Sequence, residues 1–232
     1  MKLPHIIIRI ARKLLGPIVP KSARLPLHYW IFLLDGVIEP ELRHIKALCK
    51  ERGVAIDVGA NIGLYSYRMA RIFSKVYAFE INEGVAADLG AYNSKNIEII
   101  HSGLSSEEGD LTLYIPVSKG IALHGWASLR PGNCPGTHEH LTKPVHVRRL
   151  DSFSIGGVSL LKIDVEGHEL EVLRGAVETI SASRPVVLVE VKDENVGPVA
   201  SYFKALNYEE TTLKALCDVK GAGENRIYRP CA

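Results

Sequence analysis

The stretch 54–63, reading V-A-I-D-V-G-A-N-I-G, restricts the possible folds of this chain more than any other. Val54, Ala55, Ile56 and Val58 form a short apolar run that suits a strand buried on both faces, as in a parallel sheet. Gly59 and Gly63 then permit a tight turn and leave room for a ligand against bare peptide. A helical pattern follows, and its first N–H groups point back at the turn. Strand, glycine loop and helix in this order make the junction at which open α/β sheets hold nucleotide-like ligands. With 232 residues, 47% of them hydrophobic, the chain has enough apolar material for one substantial α/β domain.

The pattern repeats downstream. Residues 65–73 continue as a helix, 75–80 read as a second strand ending in Glu80, 83–92 as a helix and 97–101 as a third strand. Alternation of this kind implies right-handed crossovers and a parallel sheet. Residues 159–165 and 185–190 read as two more buried strands, separated by a helix over 169–181. A helix over 197–206 and a closing strand pair, 208–213 with 225–229 around Gly221 and Gly223, complete the chain. Residues 110–116 and 145–150 alternate polar and apolar and predict an antiparallel insertion within 110–150. The stretch between them, 117–144, is longer than ordinary connections and rich in Gly, Pro and His, as lids and binding loops are.

Upstream, Pro40 with Glu39 and Glu41 makes a helix entry, Leu42, Ile45 and Leu48 a helical stripe, and Gly53 a stop. Residues 1–38 read as an extension of helix and linker, in which 29–34 form a strand or a cap over the pocket, and 39–232 as the main domain. The segment 5–16 is apolar with Arg9, Arg12 and Lys13 interspersed, too short and too charged to span a bilayer. It suits either a helix packed on the domain or a basic amphipathic helix making peripheral contact with an anionic membrane. A net charge of +2 gives no electrostatic case for gripping nucleic acid. The four cysteines form no C-x-x-C pair and no secretory leader is evident, so they read as reduced thiols in a cytoplasmic protein.

The turn spells G-x-x-x-G and lacks the middle glycine of the dinucleotide fingerprint G-x-G-x-x-G, which lets peptide approach a pyrophosphate. Asp57 would repel a diphosphate and suits a cationic ligand, and S-adenosylmethionine carries both a sulfonium and an ammonium group. Glu80 is placed to accept hydrogen bonds from a ribose diol.

Beyond these features the chain resembles the FkbM-type S-adenosylmethionine-dependent methyltransferases. The matching stretches are A-I-D-V-G-A-N-I-G-L-Y-S, V-Y-A-F-E, G-L-S-S-E-E-G-D-L-T-L-Y, V-R-R-L-D-S-F and L-L-K-I-D-V-E-G-H-E-L-E-V-L-R-G-A, in the family's order. The resemblance implies a Rossmann-like, seven-stranded, mostly parallel sheet with helices on both faces, and methyl transfer, usually to oxygen. It implies cofactor contacts from Asp57, Gly59, Asn61, Gly63 and Tyr65, with Glu80 on the ribose. Ile81 and Asn82 would lie beside the adenine, and Ser102, Gly103 and Leu104 over it. Where many members end the fifth strand in Glu followed closely by His, this chain reads Glu190-Val191-Lys192.

Methyl transfer to a hydroxyl requires alignment of the acceptor and removal of its proton. Asp164, Glu166 and His168 cluster where the fourth strand ends and are the candidate catalytic residues. Asp164 would face the cofactor's methionine end, and Glu166 or His168 would serve as base; alternatively, Glu166 and His168 simply begin a helix around Gly167. His124, Trp126 and Glu190 are the candidate acceptor-side residues, the first two stacking on a sugar or else anchoring the long loop. Asp164, Glu166 and Glu190 could also ligate a divalent ion, whereas Cys134, His138 and His140 lack a fourth zinc ligand; no metal is expected. The expected acceptor is a hydroxyl on a sugar, a glycan or glycolipid, or a natural product. The competing readings are an NAD-dependent enzyme and a membrane-associated adaptor that retains the fold.

Overall fold

A computed structural model describes residues 19–132, 139–217 and 225–231. The segment 5–16, Cys134, His138, Gly221 and Gly223 therefore lie outside the described residues. Two sheets form among the described residues. The main one has seven strands in the order β3-β2-β1-β8-β9-β11-β10: β1 Val54–Val58, β2 Lys75–Phe79, β3 Ile97–Ile100, β8 Val158–Ile163, β9 Val186–Glu190, β10 Tyr208–Thr211 and β11 Asn225–Pro230. Neighbours pair in parallel except β11, which runs antiparallel to both β9 and β10.

Adjacent residues of the central strands point to opposite faces and enter separate cores. Ala55, Leu160 and Leu188 join the core that includes Leu42, Ile45, Met69 and Leu89. Ile56, Leu161, Val187 and Val189 join Val172, Ile180, Val199 and Phe203 on the other side. The helices supplying these partners are α2 Pro40–Arg43, α3 Ile45–Leu48, α4 Leu64–Ala70 and α5 Ala87–Tyr92 on the first face. On the second lie α6 Glu169–Arg174, α7 Val177–Ser183 and α8 Val196–Ala205. Both faces of the sheet are covered, which is why its strands read as continuous apolar runs.

Residues 29–34 are helical, part of α1 Lys21–Asp35, rather than a strand. Leu25, His28 and Tyr29 all turn inward, at helical spacing, and Gly36 ends the helix at φ +74°, its N–H donating to Phe32 O. The helical stripe Leu42, Ile45, Leu48 is buried as read, but the helix breaks at His44 and stops well short of Gly53. The strand expected over 208–213 ends at Thr211, and Leu213 instead begins a short helix, α9 Leu213–Cys217. No helix of the described residues is long and apolar enough to cross a membrane.

The insertion is a second sheet of four strands, in the order β4-β7-β5-β6: β4 Gly103–Leu104, β5 Gly109–Ser118, β6 Ile121–Ala122 and β7 Glu139–Arg148. β5 and β7 pair antiparallel from Gly109↔Val147 to Val117↔Glu139. The expected pair is therefore present and longer than the alternation indicated, and a 3-10 turn at His124–Trp126 carries the chain back toward the main sheet.

Candidate active site

β1 and β8 are neighbours whose connections leave toward opposite ends of the sheet, so a crevice opens at their carboxyl ends, the position where such sheets bind ligands. Its floor is the turn after β1. Gly59 has φ +76°, and a Cβ there would stand 1.8 Å from the carbonyl oxygen of Asp164, so no other residue fits between the two strand ends. Gly59 and Ala60 both donate N–H groups to Phe79 O at 3.0 Å, tying the turn to the end of β2.

Glu80 follows β2 directly. Its Oε2 accepts the Asn61 N–H at 2.8 Å and its Oε1 the Asn82 N–H at 2.8 Å, which fixes the carboxylate across two loops. Burial pushes its pKa up, against the pull of the two backbone donors. Each oxygen keeps a further acceptor position, and the group lines the cavity.

Beside Glu80 the cavity is a largely apolar slot formed by Ile81, Ser102, Gly103, Leu104, Leu113 and Leu129. A Cβ on Gly103 would lie 2.5 Å from Ile81 Cδ1, so glycine lets the wall close tightly there. The turn at His124–Trp126 closes the slot from the insertion side, and the Asn82 amide donates to His124 Nδ1 at 3.0 Å. His124 lines the cavity; Trp126 does not and is 53% exposed.

At the other end stand Asp164 and Glu166, with Lys162 beneath them. Lys162 Nζ donates to Asp164 Oδ2 at 3.1 Å and to Gly59 O at 3.3 Å, and lies 3.6 Å from Asp57 Oδ1. Burial works against this ammonium, but Asp164 and Asp57 outweigh it and hold its pKa above the ordinary value. Glu166, at φ +53°, pairs its Oε2 with Lys192 Nζ at 2.7 Å, and its carbonyl accepts the Ser128 hydroxyl at 2.6 Å. Oxygens of Asp164, Glu166 and Glu190 approach within 4.8 Å of one another. Two lysines already meet the charge of the first two, which weakens the drive toward a divalent ion.

The structure brings Gly59, Asn61, Glu80, Ile81, Ser102, Gly103, Leu104, His124, Asp164 and Glu166 to one cavity. Four other expected positions serve it from behind. Asp57 is fully buried, accepting the Ser66 hydroxyl at 2.6 Å and facing Lys162, so its charge is spent inside the protein. Gly63 turns the chain into α4 against Leu89. Tyr65 is likewise buried, donating its hydroxyl to Glu39 Oε2 at 2.6 Å with Lys162 Nζ 4.9 Å from its ring centre, so its contact is with the lysine and not the cavity. Asn82 acts through Glu80 and His124. A further correction concerns His168. It is buried, its Nε2 lies 3.0 Å from Ser105 Oγ, and burial lowers its pKa, which favours a neutral packing histidine at the start of α6.

Lys162 is the residue beside the cavity to which the sequence assigns no role, although a lone lysine in a strand with the pattern of a fully buried one is itself a signal. Lys192, Leu113 and Leu129 carry no such signal, because only the tertiary fold brings Lys192 to Glu166 and the two leucines to the cavity.

A family model described as Methyltransferase FkbM domain matches residues 57–210. AMB antimetabolite synthetase AmbE of Pseudomonas aeruginosa is 31% identical over 215 residues, covering 76% of this chain and 10% of that protein. Hexuronic acid methyltransferase AglP of Haloferax volcanii is 27% identical over 152 residues, covering 61% of this chain and 57% of its own. The chain thus spans a small part of the first and little more than half of the second. A crystal structure of methyltransferase FkbM from Methylobacillus flagellatus superposes with a TM-score of 0.53 at 15% identity, covering 91% of this chain and 55% of the other; the likeness is one of fold.

Proposed function

The chain belongs to the FkbM methyltransferase family, and from that premise we propose that it transfers a methyl group from S-adenosylmethionine to a hydroxyl oxygen of a sugar, glycan or natural-product acceptor. The observation that carries this reading is the polarity of the cavity. One end presents the Glu80 carboxylate, the middle is a largely apolar slot, and the far end is lined by Asp164 and Glu166. A ribose diol suits the first, a purine ring the second, and a sulfonium with an ammonium the third. A dinucleotide would bring a pyrophosphate toward two carboxylates with no glycine-rich cradle for it. The case against a dinucleotide thus rests on Asp164 and Glu166, which line the cavity, because Asp57 is fully buried and does not reach it.

S-adenosylmethionine, when bound, supplies a methyl carbon activated by positive sulfur. The protein's share is to hold the nucleoside through Glu80 and the slot, to keep water out with the His124–Trp126 turn, and to present an acceptor oxygen in line with the methyl. A sugar acceptor is favoured by the likeness to the protein named as a hexuronic acid methyltransferase.

Calorimetry with pure protein tests the reading. Saturable binding of S-adenosylmethionine and of its demethylated product is expected, with none of NADH. Glu80→Ala should weaken that binding by about tenfold or more, through loss of hydrogen bonds to a charged acceptor. Absence of binding by either sulfur nucleoside, or tight binding of NADH, would sink it.

A further inference from the structure

Four side chains near the end of β8 and β9 are able to take a proton from an acceptor, and three of them are engaged elsewhere. Asp164 holds Lys162 at 3.1 Å, Glu166 holds Lys192 at 2.7 Å, and His168 sits against Ser105 at 3.0 Å. Glu190 is different. It ends β9, one strand outward from β8, and is only partly buried. Its carboxylate makes no hydrogen bond and no ion pair among the described residues, yet an oxygen of it lies within 4.8 Å of oxygens of both Asp164 and Glu166, which line the cavity. Lys192, two residues on, reaches to Glu166 instead.

We propose that Glu190 is the catalytic base that receives the acceptor's proton, an assignment that rests on the methyltransferase reading above. The acceptor O–H bond gives its proton to a Glu190 carboxylate oxygen while the oxygen lone pair forms the new C–O bond. The C–S bond breaks with its electrons going to sulfur, which leaves a neutral thioether. Glu190 then returns the proton to water through its exposed side. Asp164 and Glu166 keep the cofactor end of the site anionic, and their lysines hold them in place.

The electrostatics around Glu190 agree with this division. Burial raises its pKa, Asp164, Glu166 and Glu39 raise it further, Lys162 lowers it, and the result is about 7. A base poised near neutrality combines a useful ionised fraction with real proton affinity.

The test uses the full chain, methyl-labelled S-adenosylmethionine, and methyl glycosides of neutral and uronic sugars as acceptors. Glu190→Gln preserves shape and removes the base. The expected loss in kcat is about 10²–10⁴-fold, with affinity for S-adenosylhomocysteine changed by no more than about threefold. In the wild type kcat/KM should rise with pH toward a plateau above about 7, a limb that Glu190→Gln lacks and Glu190→Asp retains at reduced rate. Retention of most of kcat in Glu190→Gln, or of its pH limb, would overturn the assignment. So would loss of nucleoside binding in that variant, which would make Glu190 a pocket residue. Activity that chelation abolishes and magnesium restores would instead mark the carboxylates as a cation site, overturning it too. Failure of the wild type to methylate any of these sugars would remove the sugar-hydroxyl reading and the assignment with it, and nucleoside binding measured on the same sample tells that case from a misfolded protein.

Discussion

Lys162 shows how one residue sets the roles of its neighbours. An ammonium enclosed on all sides persists because Asp57 and Asp164 face it, and those two carboxylates are thereby committed. Glu190 has no such partner, and its ionisation costs the hydration that burial removes and also sets like charges close together. Its proton is held to about 7 in the folded chain, against an ordinary value of 4.5. Between those values the folded state binds more protons than the unfolded one, so stability falls as pH rises through that window and the full cost of ionising Glu190 is present above it. Solvent screening at this partly exposed site leaves that cost on the order of 1 kcal/mol. Glu190→Gln should therefore raise Tm by roughly 2–4 °C at pH 8 and leave it unchanged near pH 4.5. Thermal melts at the two pH values decide it, and an equal shift at both would show that ionisation of Glu190 is not the cause.

At the scale of elements, the parallel strands β1, β2, β3, β8 and β9 were legible because each is a short apolar run ending in a charged or turn residue. The helix read over 169–181 is in fact two, α6 and α7, broken where Gly175 lies against Ser105, whose carbonyl a Cβ would approach to 2.0 Å. The new helix start is capped from outside: Asp151 accepts from Glu178 N at 3.2 Å, Thr179 N at 2.9 Å and the Thr179 hydroxyl at 2.8 Å. No local pattern could reveal a cap that lies more than twenty residues away in the chain. The same holds for the insertion, whose alternation disclosed a hairpin but not that its 3-10 turn meets Asn82 across the cavity. That meeting gives a prediction. His124→Ala removes one exposed hydrogen bond from that turn, so S-adenosylhomocysteine should dissociate about 2–10-fold faster while Tm stays within about 1 °C. Stopped-flow displacement measures it, and an unchanged off-rate would mean that the turn does not retain the nucleoside.

Across the whole molecule, the site depends on two cores that meet only through the sheet, and the first of them extends into the region read as an appendage. Leu25 is fully buried, Tyr29 is 4% exposed and Ile38 is 7% exposed, all in one cluster with Leu42, Tyr67 and Leu89. The ring of Tyr29 lies 5.1 Å from that of Tyr67, which in turn lies 5.1 Å from Tyr92, so α1 is joined to both α4 and α5. The other side of the division is tied in as well, because Glu39 accepts hydrogen bonds from Tyr65 and from Asn225 of β11. A cut before residue 39 would thus pass through packed core and strip the face of the sheet that carries α4, the helix leaving the Gly59–Gly63 turn. Truncating a single buried Leu costs about 2–5 kcal/mol, and losing three buried side chains approaches the roughly 5–15 kcal/mol that holds a domain together. The fragment 39–232 should therefore lack a cooperative melt and near-ultraviolet circular dichroism, and it should not bind S-adenosylhomocysteine. Leu25→Ala in the full chain should unfold cooperatively at a lower denaturant midpoint with an unchanged m-value. If the fragment instead melted cooperatively within a few degrees of the full chain, α1 would be an appendage after all, and the Gly59–Gly63 turn would owe its shape to residues 39–232 alone.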